Sequence, residues 1–345
     1  VAPPVRQPAE WEPHEALWTA WPSHRDYWGN AFVGAQAEVA AFLRALTGAA
    51  RGNSAVPERV EVWVDGPATA EAARRKCGEL PVAWVEAAFG DIWFRDVAPI
   101  LLKRSDGRRV ARCLRHNGWG EKYRMEGDDS VAARMVARHR IPARFLPLTG
   151  EGGGLESNGK GLFLSTRSCF LNTNRNPRWE EADVERVLRE ELGAETVLWL
   201  DEGLANDHTD GHIDNLVRFV DARTVVCQHP SGRDDPNRDC LRAIIEMLAK
   251  FRLPSGDRLD VVEIPSPGRV LYDDGSLAPA SHVNFYIANH RVLVPCYGGK
   301  EEAEALALIG GCFSDREVIG LPARHLLAGG GAFHCITQQV PAVGQ

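Results

Sequence analysis

The stretch Asp235-Pro236-Asn237-Arg238-Asp239-Cys240-Leu241-Arg242-Ala243-Ile244-Ile245-Glu246-Met247-Leu248 reads as a helix. Leu241, Ile244, Ile245 and Leu248 recur at i, i+3, i+4 and i+7, a single apolar stripe at helical period. Asp235 is expected to cap this helix, with Pro236 at its first position, where a missing N–H costs nothing. Strand patterns at 215–220 and 223–227 precede it and another at 259–264 follows, so the segment spells strand, strand, helix, strand. Further out the order returns. Asn176-Pro177 opens a segment whose Val184, Val187, Leu188 and Leu192 share a face, before a strand at 195–200. Glu301 to Ile309 forms a third helix between strands at 283–288 and 291–295 and one at 316–320. Near the start, Val60-Glu61-Val62-Trp63-Val64 alternates as a half-buried strand, followed by a helical stretch around Ala70 to Cys77 and a strand at Pro81–Val85. The cadence is roughly 50 to 70 residues and returns about five times without residue identity between units. No low-complexity linker interrupts it, so one domain over residues 1–345 is expected. The pattern alone gives mixed α/β with internal repeats, of which a closed ring is one arrangement.

At 345 residues, with 44% hydrophobic and 25% charged, the chain can bury a sizeable core. A net charge of −7 and the lack of any basic stripe argue against nucleic acid as a partner. No run approaches the ~18 apolar residues of a membrane span, and Val1-Ala2-Pro3-Pro4 lacks the basic and apolar parts of a secretory signal. The eight cysteines contain no C-x-x-C pair, which in a chain of this length reads as free thiols in a reducing compartment, by default the cytoplasm.

Four segments place chemistry-bearing residues in unusual company. Gly329-Gly330-Gly331-Ala332-Phe333-His334-Cys335 presents a thiol just after three glycines, a sign of backbone that bends sharply or lies against a ligand. By itself such a cysteine is more often a small buried hydrophobe than a nucleophile. In Asp91-Ile92-Trp93-Phe94-Arg95-Asp96-Val97-Ala98-Pro99, two acids and an arginine interrupt an apolar, strand-like run. Asp96 there either pairs with Arg95 at the surface or has a cation as its buried partner. Gly150-Glu151-Gly152-Gly153-Gly154 surrounds a carboxylate with glycines. Asp207-His208-Thr209-Asp210-Gly211-His212-Ile213-Asp214-Asn215 is the densest ionisable cluster, and in a strand-like reading His212 and Asp214 share a face.

Two cofactor readings fail on their own ligand logic. His208 and His212 are four apart, but the intervening Thr-Asp-Gly is a poor helix and no H-E-x-x-H glutamate is present, so no metal is expected. Gly154 to Gly161 nearly spells a phosphate loop, yet glycine stands where magnesium's Ser/Thr belongs and Leu162-Phe163-Leu164 looks like a strand rather than a helix start. Asn158-Gly159 reads better as a hairpin turn. No cofactor is expected. A thiol, a histidine and several acids together imply a cationic carbon electrophile, for which the biological example is guanidinium, a planar donor fork that stays charged and matches carboxylates.

The chain resembles the agmatine deiminase and bacterial-type peptidylarginine deiminase family of guanidine-modifying enzymes. The resemblance runs almost end to end, through Pro8-Ala9-Glu10-Trp11-Glu12-Pro13-His14-Glu15, Trp18-Thr19-Ala20-Trp21-Pro22, Trp93-Phe94-Arg95-Asp96, Asn117-Gly118-Trp119-Gly120, Glu151-Gly152-Gly153, Leu171 to Pro177, Thr209 to Asn215, Asn284 to Asn289 and Gly329 to Gln339. It implies the pentein fold: an α/β propeller of five ββαβ-type units about a pseudo-fivefold axis. It further implies that Asp96 and Asp214 grip the guanidinium while the Cys335 thiolate attacks its carbon. His212 then protonates the departing ammonia and activates water against the thiouronium intermediate, and Glu151 orients His212.

For the substrate, the resemblance implies a small guanidine, foremost agmatine, deiminated to N-carbamoylputrescine on the way to putrescine and the polyamines. Trp93 and Trp119 are expected to flank the aliphatic chain, or else to serve the core, and Asp91 and His208 to lie toward the distal amine. His208 is a departure, since the family's usual residue there is glutamate; free arginine, peptidyl arginine or another guanidine is the alternative substrate. An amidinotransferase would share the constellation but pass the amidino group to an amine. A non-catalytic pentein, such as the ribosome anti-association factors, would lack the thiol and its partners. A homo-oligomer is compatible with the sequence.

Overall fold

A computed structural model describes residues 4–49, 56–253 and 255–343. The helix that opens the sequence reading spans Arg238–Lys250 and buries Leu241, Ile244 and Leu248. Strand Val217–Phe219 runs antiparallel to Thr224–His229, which pairs in parallel with Asp260–Pro265 across the helical crossover. The helix starts two residues later than its proline suggests. The Asp235 carboxylate is taken by the amides of Ser231 and Asn237 and the hydroxyl of Ser266, so it orders the preceding loop instead of capping the helix.

The same antiparallel-then-parallel unit recurs in every sheet of the described residues. One comprises Ile100–Arg104, Arg109–Arg115, helix Asp128–Arg138 and Ala143–Thr149. The next is Glu156–Ser157, Leu162–Thr166, helix Glu181–Leu192 and Thr196–Leu200. Another is Tyr286–Ile287, Arg291–Cys296, helix Glu302–Gly311 and Glu317–Pro322. The last is assembled from both ends of the chain: Thr337–Pro341 lies antiparallel to His14–Ala20, which is followed by helix Phe32–Thr47 and pairs in parallel with Arg59–Val64. Val82–Glu86 extends that sheet by one strand. The fold is the five-unit α/β propeller of the pentein class, with four apolar clusters between sheets and helices.

Several local readings shift. The helix expected from Asn176-Pro177 begins at Glu181, where Glu180 and Asp183 form a reciprocal capping box. The Asn176 side chain instead bridges Thr149 and Phe170. The strand-like run at 91–99 contains a helical turn, Phe94–Val97, and the supposed strand at His212–Asp214 is an extended residue followed by a 3-10 turn, Ile213–Asn215. Asn158-Gly159 does turn a hairpin, with Gly159 at φ +69° and the Asn158 side chain accepting the amides of Lys160 and Leu162.

These turns share one place in the architecture. Each unit contributes the few residues that lead into its first strand: Asp96 before Ile100, Gly153 before Glu156, Asp214 before Val217, Asn284 before Tyr286 and Cys335 before Thr337. Repetition of the unit therefore brings distant parts of the chain together, and the turns pack against one another. The ring depends on the junction between Thr337–Pro341 and His14–Ala20. Leu17, fully buried in that junction, should cost about 2–5 kcal/mol of stability when replaced by alanine. Chemical denaturation of the variant checks this, and an unchanged midpoint would show that the junction bears little of the fold.

Candidate active site

Gly153 is the point about which the expected residues gather. A Cβ built on it would lie 2.6 Å from His212 Nδ1, 2.9 Å from Asp96 Oδ1 and 3.0 Å from Asp214 Oδ2. Its amide donates to Asp96 Oδ1 at 3.0 Å. Only a residue without a side chain allows two carboxylates and an imidazole to approach the backbone this closely. The Cys335 sulfur lies 3.7 Å from Asp214 Oδ2 and receives a hydrogen bond from Asn284 Nδ2 at 3.2 Å. Glu151 Oε2 stands 3.1 Å from His212 Nε2. The structure thus brings Cys335, His212, Glu151, Asp96 and Asp214 into one buried cluster.

A cavity of about 50 Å³ opens onto it, lined by Trp93, Trp119, Tyr123, His208 and Gly330 in addition to Asp96 and Cys335. The three glycines have separate tasks. Gly330 sits at φ +113°, where side chains are strained. Gly329 and Gly331 leave room for the Trp28 and Trp93 rings, which stack on each other with centroids 5.7 Å apart. Trp93 and Trp119 therefore serve core and cavity at once, and Trp119 Nε1 donates to Asp96 Oδ2 at 2.9 Å. The His208 ring stands at the rim between Tyr123 and Tyr272, whose hydroxyls reach its two nitrogens at 3.3 and 3.4 Å. Asp91 is set apart from the cavity lining: its Oδ1 accepts from Trp28 Nε1 at 3.0 Å. The surface pair between Asp96 and Arg95 does not form; both are buried, and Arg95 turns to Glu10.

Burial of so many acids sets the electrostatics. It raises the Asp96 carboxyl to about 6, with His212 opposing and Asp214 and Glu151 adding to the rise. Burial also acts to raise Glu151, but the His212 hydrogen bond and the Arg175 guanidinium overcome it and hold Glu151 at about 2. Asp214 is likewise pushed up by burial and then brought below its ordinary value, first by its hydrogen bond with His334. For His212, desolvation disfavours the charged ring, yet Asp96, Cys169 and Glu151 outweigh it and keep the imidazole well above its usual range. Burial drives the Cys335 thiol well above the ordinary thiol value, and the charges of Asp214 and Asp96 drive it further.

Residues missed in sequence complete the site. Arg175 bonds both oxygens of Glu151, at 2.9 and 3.2 Å, and also Asp210 at 2.6 Å. His334 lies between Asp214 and Glu10. Arg175, His334, Asn284 and Glu10 all fall within motifs quoted above, but nothing in their spacing announces that Arg175 pairs with Glu151, 24 residues away, His334 with Glu10, 324 residues away, or Asn284 with the Cys335 sulfur. Glu151, Cys169 and His212 place potential metal ligands within 4.8 Å of one another, a different set from His208 and His212. The Arg175 guanidinium bound to Glu151 already occupies the position of the countercharge there.

The sequence profile of the Porphyromonas-type peptidyl-arginine deiminase family matches residues 6–341. The chain belongs to this family. It is similar to an agmatine deiminase of Pseudomonas aeruginosa, 34% identical with 98% of this chain and 95% of that protein covered. Among solved structures it is similar to the agmatine deiminase of Enterococcus faecalis, at 26% identity and a TM-score of 0.89, with 98% and 96% of the two chains covered. An amidinotransferase of Microseira wollei, 13% identical over 99% and 98% of the chains, shares the fold at a TM-score of 0.56. Replacing Gly153 by alanine in this chain should lower kcat/KM at least ~100-fold, as expected when reacting groups are displaced by about an ångström. Steady-state kinetics beside a thermal melt checks this, and a folded, fully active variant would remove Gly153 from the centre of the site.

Proposed function

We propose that this chain, a member of a family of hydrolases that cleave C–N bonds of guanidines, deiminates agmatine to N-carbamoylputrescine and ammonia within one catalytic domain. The observation that carries the reading is a pair of buried atoms with no hydrogen bond, His212 Nδ1 and Asp214 Oδ1. They sit in a cluster where Asp96 and Asp214 flank Gly153 and a thiol stands 3.7 Å from Asp214. Buried carboxylates lose several kcal/mol of hydration unless compensated; His334 offsets Asp214, Asp96 has His212 only at 3.7 Å, and a flat cation between the two acids completes the balance. Its N–H groups match carboxylate oxygens in a way that a metal or an alkylammonium does not.

The chemistry follows from the charges. In the free protein the thiol is held protonated by burial and by its acidic neighbours. Arrival of the guanidinium reverses that field, so in the complex the thiol loses its proton to solvent and the thiolate attacks the central carbon. His212, held protonated by Asp96 and Glu151, gives its proton to the departing ammonia. The thiouronium that remains is attacked by water, one proton of which returns to His212; the C–S bond then breaks to release the thiolate, and the second proton leaves the carbonyl oxygen and returns to the thiolate as the neutral ureido product departs. Glu151, kept ionised by Arg175, orients the ring through both steps.

Agmatine fits the cavity better than arginine because no arginine or lysine lines it to receive a carboxylate, whereas Trp93, Trp119 and Tyr123 offer aromatic faces to an alkyl chain and its ammonium. A larger guanidine such as peptidyl arginine is the second reading. It is favoured by a cleft of about 580 Å³, including Trp28, Tyr272 and Arg324, that also reaches His208. All eight cysteines are free, which supports work in a reducing compartment such as the cytoplasm. No described helix is long and apolar enough to cross a membrane.

Incubation with agmatine, arginine and an arginyl peptide in separate reactions, with and without an amine acceptor, measures ammonia and ureido product. Agmatine should release ammonia in equal amount whether or not the acceptor is present; amidino transfer without ammonia would contradict hydrolysis. Cys335→Ala should abolish turnover, and Asp96→Asn or Asp214→Asn should each lose more than ~100-fold in kcat/KM, as when a positioned charge-stabilising group is removed. Full activity in Cys335→Ala would remove the covalent scheme, and near-normal kinetics in both aspartate variants would show that the guanidinium is held elsewhere.

A further inference from the structure

One buried titratable side chain links the nucleophile segment to the guanidinium anchor and has no part in the steps above. His334 Nδ1 lies 2.7 Å from Asp214 Oδ2, and its Nε2 lies 2.9 Å from Glu10 Oε2. Both acceptors are carboxylates, so the ring donates from both nitrogens, which is the imidazolium form. The ring has no freedom to swing. Glu10 is fixed by the Ile287 amide at 2.8 Å, Arg218 at 2.9 Å and Arg95 at 3.3 Å, and Arg218 continues to Glu156 at 2.9 Å. The His334 amide is held by the Asn284 side chain, which also donates to the Cys335 sulfur. Three anions, Glu10, Glu156 and Asp214, face three cations, Arg95, Arg218 and His334.

We infer that His334 is a positioning residue for the substrate guanidinium: it fixes the Asp214 carboxylate through Oδ2, beside Gly153 and the Cys335 sulfur, and leaves Oδ1 free of hydrogen bonds to take one from the cation. The inference rests on the guanidinium reading of the site and extends it to the Glu10–His334 pair. His334 also has a charge role. Asp214 is surrounded by His334, the Cys335 thiol, His212, Asp96 and Arg218, and its hydrogen bond with His334 is the leading influence that opposes burial. Without His334, Asp214 should take up its proton at a higher pH than in the parent, closer to Asp96, since loss of an adjacent opposite charge raises a carboxyl by about 1–3 pH units.

The test compares His334→Gln, His334→Asn and Glu10→Gln with the parent chain, each first shown to melt as the parent does. An asparagine amide can replace the Nδ1 donor toward Asp214, whereas a glutamine amide reaches toward Glu10. Two quantities are read across pH: kcat and KM for agmatine, and calorimetric binding of butylguanidine, which does not depend on turnover. His334→Gln should weaken binding and raise KM by roughly 10–100-fold, the range for removal of an orienting partner. His334→Asn and Glu10→Gln should fall between it and the parent. The acid limb of kcat/KM in His334→Gln should move upward and steepen from one proton to two. Parent-like binding and a one-proton limb in these variants would overturn the inference, as would a fall in kcat with KM unchanged. If the parent binds butylguanidine but releases no ammonia from agmatine, the proposed reaction fails while the binding comparison still decides the role of His334.

Discussion

Asp96, Asp214 and Glu151 are buried close together in the cluster that holds the thiol, and the fold has to compensate them before any chemistry is possible. Each buried carboxylate costs several kcal/mol unless it is paired and hydrogen-bonded. Two of the three are settled by the protein itself: Glu151 by Arg175 and His212, and Asp214 by His334. Asp96 is only partly settled, with Trp119 and the Gly153 amide as its donors, and it alone of the three is raised to about 6. The remaining demand for positive charge lies beside the thiol. A cationic substrate meets that demand and in the same event creates the nucleophile, so recognition and activation are one electrostatic step.

The ring architecture is what makes so dense a cluster possible. Five units place the approach to their first strands around one centre, and each approach contributes one residue or a short turn: Asp96, Gly153, Asp214, Asn284 and Cys335. No long excursion of the chain is needed. Glycine is required where the cluster meets backbone, at Gly153, and where indole rings lie against it, at Gly329 and Gly331. Closure by the C-terminal strand on His14–Ala20 sets the Cys335 segment in place, because the nucleophile stands only two residues before that strand.

Much of this was legible in the sequence because periodicity and local composition survive folding. The stripe Leu241, Ile244, Ile245, Leu248 gave its helix, although Ile245 is only partly buried, and the flanking strands gave the unit. Helix starts were less legible: proline marked a loop at Pro177 and Pro236, while side chains several residues on set the first turn. The reacting groups stood out as acids among glycines and apolar residues. Their supporting partners did not, since Arg175, His334 and Glu10 look ordinary until the fold brings an opposite charge to each. Asp91 shows the reverse. Its setting suggested a ligand for an amine, whereas its carboxylate holds the Trp28 indole behind the Trp93 wall.

The central claim is that the cluster needs a flat cation and that the cation generates the thiolate. The most direct measurement is the ultraviolet thiolate absorbance of the chain, taken as the difference from Cys335→Ala, across pH with and without saturating butylguanidine. The account predicts no thiolate signal from Cys335 at neutral pH in the free protein and its appearance at neutral pH once the guanidine is bound. A thiolate already present in the free protein at neutral pH, or a signal indifferent to the bound cation, would contradict it.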